Sequence, residues 1–195
     1  ERNIMKYWVQ LVLLIALSAC VNPTVRIVDM TPPKQRSWEV SEELLLDVGI
    51  SVFEANVPQD YDEQIKQNIQ PEVRRAEGNY IAYFLKTLMQ STGNWGAVRV
   101  IPRATNAVDV TIFGRIKHSD GESSIWHARA VDARGVKWFE KDYEALASKY
   151  AYGQNIPRGI DPFQSAYTAL SDDLLVHLKK LSNEDIQAIR TTAEM

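Results

Sequence analysis

Between residues 97 and 145 the chain alternates short apolar-rich stretches with turns too tight to hold a helix, and this run limits the fold more than any other feature. Residues 97–101 end at Pro102, and residues 107–116 read AVDVTIFGRI. Ser119-Asp120-Gly121-Glu122 then turns the chain into residues 124–132, and Ala133-Arg134-Gly135 turns it again into residues 136–145. Strands joined by such turns have no room for a crossover, so they pair antiparallel with their neighbours.

Amphipathic helices flank this run. Upstream, Leu46, Val48, Ile50 and Val52 alternate with Asp47, Gly49, Ser51 and Phe53, the period of a strand. Residues 55–70 are polar and irregular, with room for one short helix. Pro71 sits at a favoured first helical position, and Gly93-Asn94 supplies the stop. Between them Val73, Ala76, Tyr80, Phe84 and Leu88 form a stripe that Ile81, Leu85 and Met89 widen. Downstream, Asp161-Pro162 opens a second helix with the stripe Phe163, Tyr167, Leu170, Leu174 and Leu178. Ser182 with Asp185 is a capping box for a third helix. The expected architecture is α+β: a single antiparallel or mixed sheet over residues 44–181 with two amphipathic helices packed on one face. Residues 182–195 start a further helix still running at Met195, so the natural chain is expected to continue.

The N-terminus reads as a targeting segment. Arg2 and Lys6 supply positive charge, residues 7–17 are apolar apart from Gln10, and small residues Ser18 and Ala19 follow. The apolar run is shorter than the roughly 20 residues a membrane-spanning helix needs. Leu17-Ser18-Ala19-Cys20 resembles the lipobox of bacterial lipoproteins, and Cys20 is the sole cysteine. The resemblance implies a signal peptide over residues 1–19, a diacylglyceryl thioether on the Cys20 thiol, cleavage before Cys20 and a third acyl chain on the new N-terminus. Three acyl chains exceed the two signals that stable anchoring requires. Val21, where sorted lipoproteins kept at the inner membrane mainly carry Asp, implies the periplasmic face of the outer membrane. Residues 20–43, with Pro23, Pro32 and Pro33, then read as a tether, within which residues 25–28 are a candidate edge strand.

Composition narrows the function classes. Without Glu1, Arg2 and Lys6 the chain holds 20 basic and 24 acidic residues, net −4, which argues against holding nucleic acid by phosphate neutralisation. A single cysteine excludes a disulfide framework within the chain and a cysteine-cluster zinc site. His118, His127 and His177 are scattered without metal-ligand spacing, and no HExxH, GxSxG or glycine-rich phosphate loop is present. Asp60-Tyr61-Asp62-Glu63 departs from a calcium loop, because Gln64 and Ile65 stand where an oxygen ligand and a glycine belong. Asp172-Asp173 reads as a solvated helix face. No cofactor or metal is expected.

Aromatic residues are the remaining candidates. Trp126 and Trp138 lie on neighbouring strands, where packing accounts for them. Trp95 lies at the helix-to-strand turn, and Tyr150 and Tyr152 lie in a long loop over residues 148–160. These three are the candidate partner anchors, with core or loop packing as the competing role.

The order of elements behind a lipobox is similar to that of envelope lipoprotein domains, among them the curli-secretion lipoprotein, penicillin-binding-protein activators, lipid-transport partners and uncharacterised proteobacterial lipoproteins. Residues 47–54 (DVGISVFE), 71–102 and 108–115 carry the likeness. It implies a lipid-anchored, non-catalytic binding or assembly factor with an envelope protein partner and the membrane as its contacts. A lipid-transport accessory is the nearest alternative, and a periplasmic hydrolase is the alternative from another class.

Overall fold

Both tight turns close on a glycine with positive φ, Gly121 at 86° and Gly135 at 83°, where a side chain would be strained. Each is held by an aspartate that accepts hydrogen bonds from the backbone ahead of it. Asp120 Oδ1 takes the N–H groups of Glu122 and Ser123 at 2.9 and 2.8 Å. Asp132 Oδ1 takes those of Arg134 and Val136 at 3.0 and 3.1 Å.

The computed structural model describes residues 24–27, 32–37, 41–102, 107–147 and 161–193. The two turns join β4 (Val110–Ser119), β5 (Ser123–Asp132) and β6 (Lys137–Leu146) into an antiparallel meander. Three shorter strands, β1 (Thr24–Ile27), β2 (Val48–Ser51) and β3 (Val98–Ile101), complete one sheet in the order β1-β6-β5-β4-β2-β3. The helices are α1 (Tyr61–Lys66), α2 (Pro71–Thr92), α3 (Gln164–Leu178) and α4 (Asn183–Ala193). The protein is therefore α+β with a single mixed sheet.

One strand departs from expectation. β3 is not part of the antiparallel run; it lies at the edge, parallel to β2, which separates it from β4. The cause is α2. A long helix between two strands returns the chain to the starting edge, so β2, α2 and β3 form a parallel crossover unit. Residues 25–28, read as an edge strand, fall largely in β1, which pairs parallel with β6. Residues 32–37 lie against the domain as well. Arg36 N–H donates to Thr92 O at 2.9 Å, and the Asn94 amide donates to Lys34 O at 2.8 Å.

The core lies between the sheet and α2 and α3. Leu46, Val48 and Ile50 are buried as the strand period requires. Phe53, placed on the opposite parity by sequence, is also buried, because the chain has left the strand after Ser51. Its ring rests where a Cβ on Gly114 would stand, 2.4 Å from the ring atoms, and meets Trp126 edge to face at 6.0 Å. Tyr167 of α3 then packs on Trp126 at 4.5 Å and on Phe84 of α2 at 4.6 Å.

The stripe that α2 buries is rotated from the one its sequence suggests. Its buried residues are Arg74, Gly78, Ile81, Ala82, Leu85, Leu88, Met89 and Thr92. Val73, Ala76 and Tyr80, expected in the core, are exposed. The pivot is Gly78, whose missing side chain lets the helix approach the backbone of Phe53. A Cβ there would stand 2.3 Å from Phe53 O, and Phe53 N–H donates to Gly78 O at 3.2 Å.

Candidate docking surface

Rotating α2 inward at Gly78 leaves a second apolar stripe outward. Val73, Ala76, Tyr80 and Tyr83 follow one another at helical spacing, and α1 extends this surface with Tyr61 and Ile65. Exposure is 71% for Tyr61, 61% for Ile65, 62% for Tyr83 and 51% for both Val73 and Tyr80. These are the large hydrophobic residues a fold ordinarily covers. A cavity of about 430 Å³ opens where α1 meets α2, with Tyr61, Ile65, Ile69, Pro71 and Val73 in its wall.

Local chemistry fixes α1. Asp60 is its N-cap, and Oδ1 accepts the Glu63 N–H at 2.9 Å. The acidic run 60–63 thus starts a helix. Asn68, at φ 53°, ends it; its N–H donates to Ile65 O, and the next, of Ile69, donates to Gln64 O at 2.8 Å. Pro71 then starts α2.

The first turns of α2 are pinned to the sheet by a buried arginine. Arg74 Nη2 donates to Ser119 O at 3.0 Å, and Nε lies 3.1 Å from Glu77. Ser119 Oγ donates to the same Glu77 carboxylate at 3.0 Å. Further along, the Tyr80 hydroxyl is directed at Asp161. Burial, the Asp161 charge and their hydrogen bond together push the phenol up to about 12. Burial likewise holds the Asp161 carboxyl above its ordinary value, against a 2.7 Å hydrogen bond from Phe163 N–H. The Tyr83 ring carries Lys86 Nζ at 5.6 Å from its centroid. The rim of the surface is acidic at its α1 end and carries Lys86 at the Tyr83 end. Glu63 and Glu72 meet Lys66 and Arg75, while Asp60 and Asp62 face solvent beside them.

Of the residues singled out by sequence, Cys20, Tyr150 and Tyr152 lie outside the described residues. Trp95 is corrected. At 2% exposure it is a core residue, its ring 6.4 Å from that of Trp138, because the turn after Gly93 folds it under the sheet end. Trp126 and Trp138 are both buried, each against helix residues more than against the other. Trp138 stacks on His177 at 4.6 Å and 13°, and burial with the nearby Lys180 lowers the His177 pKa. Asp173 is corrected too, since it accepts from Lys141 and Tyr143 on the sheet, at 3.0 and 2.7 Å. Among the described residues no group of His, Cys, Asp and Glu is arranged to hold a metal ion, and no helix is long and apolar enough to cross a membrane.

The surface residues that sequence reasoning missed are Tyr61, Ile65 and Tyr83. A signal for them existed. In a helix of 22 residues, Tyr83 continues the series 73-76-80 just as well as Phe84 does, so two stripes compete for one core.

No family model and no curated protein matches the chain. Among solved structures, a PelC dodecamer from Paraburkholderia phytofirmans aligns at 12% identity over 77% of this chain and 94% of that chain, with a TM-score of 0.38.

Proposed function

We infer that this chain is a lipid-anchored envelope protein that works without catalysis, by docking a partner protein on the surface formed by α1 and the outer stripe of α2. The observation that carries this reading is the outward row Tyr61, Ile65, Val73, Tyr80 and Tyr83, most of it on α2, which Arg74 ties to the sheet. A contiguous apolar patch with tyrosines on a rigid support is the anatomy of an interface centre. The acidic α1 end of its rim suits a partner whose own apolar patch carries Lys or Arg on the facing side.

The anchor is the lipobox-like Leu17-Ser18-Ala19-Cys20, four residues ahead of β1. β1 runs parallel to β6, toward the sheet end that carries the turn after Ser119. Arg74 ties the start of α2 to that same end. The start of β1 therefore points toward the sheet end opposite the one to which the start of α2 is tied.

The test is site-specific photo-cross-linking in native membranes from positions 65 and 83, with the exposed Val136 position as the control. One envelope protein captured at both surface positions, and lost in Val73→Glu with the melting temperature unchanged, is the expected result. Equal capture from position 136, no adduct from 65 and 83, or adducts only with a second copy of this chain would overturn the reading.

A further inference from the structure

The sheet face opposite α2 and α3 is laced with ion pairs that, among the described residues, leave one cation over. Asp142 takes Lys117 Nζ at 2.7 Å and His127 Nδ1 at 2.8 Å. Glu140 takes Lys137 Nζ at 2.7 Å and stands 3.1 Å from His127 Nε2. Glu54 takes Arg115 Nε at 2.8 Å. In the β5–β6 register Arg129 stands directly opposite Glu140, which pairs with Lys137 and lies beside His127 and keeps lone pairs free. Arg129 has no carboxylate partner among the described residues. Its guanidinium lies over the Phe113 ring instead, 4.0 Å from the centroid.

Stacking uses one face of the guanidinium and leaves its N–H edge open, and Phe113 fixes the plane in which that edge lies. Arg129 borders a cavity of about 140 Å³, bounded also by Phe113, Arg115, His127, Glu54 and Glu140. That is space for about five waters at ~30 Å³ each, enough for one edge of a sugar ring but not for an oligosaccharide. A planar guanidinium fork matches a carboxylate. The flanking Glu54 and Glu140 carboxylates only accept hydrogen bonds, so they call for hydroxyl donors on the ligand and repel a second negative charge.

We propose that this cavity binds an acidic sugar, a hexuronate unit whose carboxylate sits on the Arg129 fork beside Arg115 and whose hydroxyls donate to Glu54 and Glu140. The site lies on a different face from the docking surface and does not depend on it.

The experiment is an NMR titration of the full chain in detergent, following the Gly114 and Arg129 amides, with glucuronate, glucose, acetate and inorganic phosphate as separate probes. Glucuronate is expected to saturate, with glucose and acetate each weaker by about tenfold or more, since each offers half of the recognised chemistry. Arg129→Lys, which keeps the charge but removes the fork, should weaken glucuronate by about tenfold with the melting temperature unchanged. Glucose or acetate binding as well as glucuronate, phosphate binding more tightly, or an Arg129→Lys chain with unaltered affinity would overturn the proposal.

Discussion

The Tyr143 hydroxyl donates to the Asp173 carboxylate across 2.7 Å, tying the middle of β6 to the middle of α3. Lys141, two residues along the same strand face, reaches the same carboxylate at 3.0 Å. Burial, together with the Asp173 charge and this bond, drives the Tyr143 phenol well above its ordinary value. Removing the acceptor strands a buried hydroxyl, which costs more than removing both partners. Asp173→Ala is expected to lower stability by about 1–3 kcal/mol, and Tyr143→Phe by about 1 kcal/mol or less. Chemical denaturation of the two single variants checks the order.

Gly78 should reverse the usual helix rule. Alanine in place of a helical glycine ordinarily stabilises by about 1 kcal/mol. At Gly78 the new methyl would meet Phe53 O at 2.3 Å, and that oxygen belongs to backbone that cannot swing away. Gly78→Ala is expected to destabilise by about 1–3 kcal/mol as overpacking, read as a lowered denaturant midpoint. An unchanged or raised midpoint would contradict the close approach.

The two stripes of α2 should separate by mutation. Leu88 is buried, and Leu88→Ala is expected to cost about 2–5 kcal/mol through lost transfer energy and a cavity. Val73→Ala, on the outer stripe, should cost about 0.5 kcal/mol or less. Similar losses for both would return Val73 to the core.

Acid should loosen the ion-pair lattice at Asp142. Burial raises that carboxyl, but hydrogen bonds from Lys117 and His127 outweigh it and hold it below the ordinary carboxylate range. With the folded value below the unfolded one, its contribution is fully present above the unfolded pKa of about 4 and is lost as pH falls through the folded value. The melting-temperature gap between the unmodified chain and Asp142→Asn is therefore expected to be widest near pH 6 and to close as pH falls toward about 2. A gap that stays constant over that interval would remove Asp142 from the acid response.

Lipid attachment has a direct readout. Cys20→Ser removes the thiol that acylation requires, so labelled palmitate should be absent from the variant and the uncleaved precursor should accumulate. Label at the unmodified level would show that Cys20 is not the attachment site.

Local chemistry was legible in the amino-acid sequence because it acts over a few residues. Glycines at positive φ and turn aspartates set the meander, Pro71 and Gly93 bound α2, and Ser182 with Asp185 starts α4, where Asp185 N–H donates to Ser182 Oγ at 3.1 Å. Each of these needs only its neighbours in sequence. Decisions that depend on what arrives from far along the chain were not legible. Periodicity says that α2 has apolar faces but not which one the sheet takes, and that choice falls to Gly78 against Phe53, 25 residues apart. Asp173 looked solvated until β6 brought Tyr143 and Lys141 to it, and Trp95 looked available until Trp138 met it. Arg129 is the sharpest case. Register sets it between Glu140 on one neighbouring strand and Phe113 on the other, and its guanidinium lies on the Phe113 ring. Sequence encodes the groups that can pair, whereas packing decides which pairs form, because partners far apart in the chain meet only once strand register and helix docking set their distances.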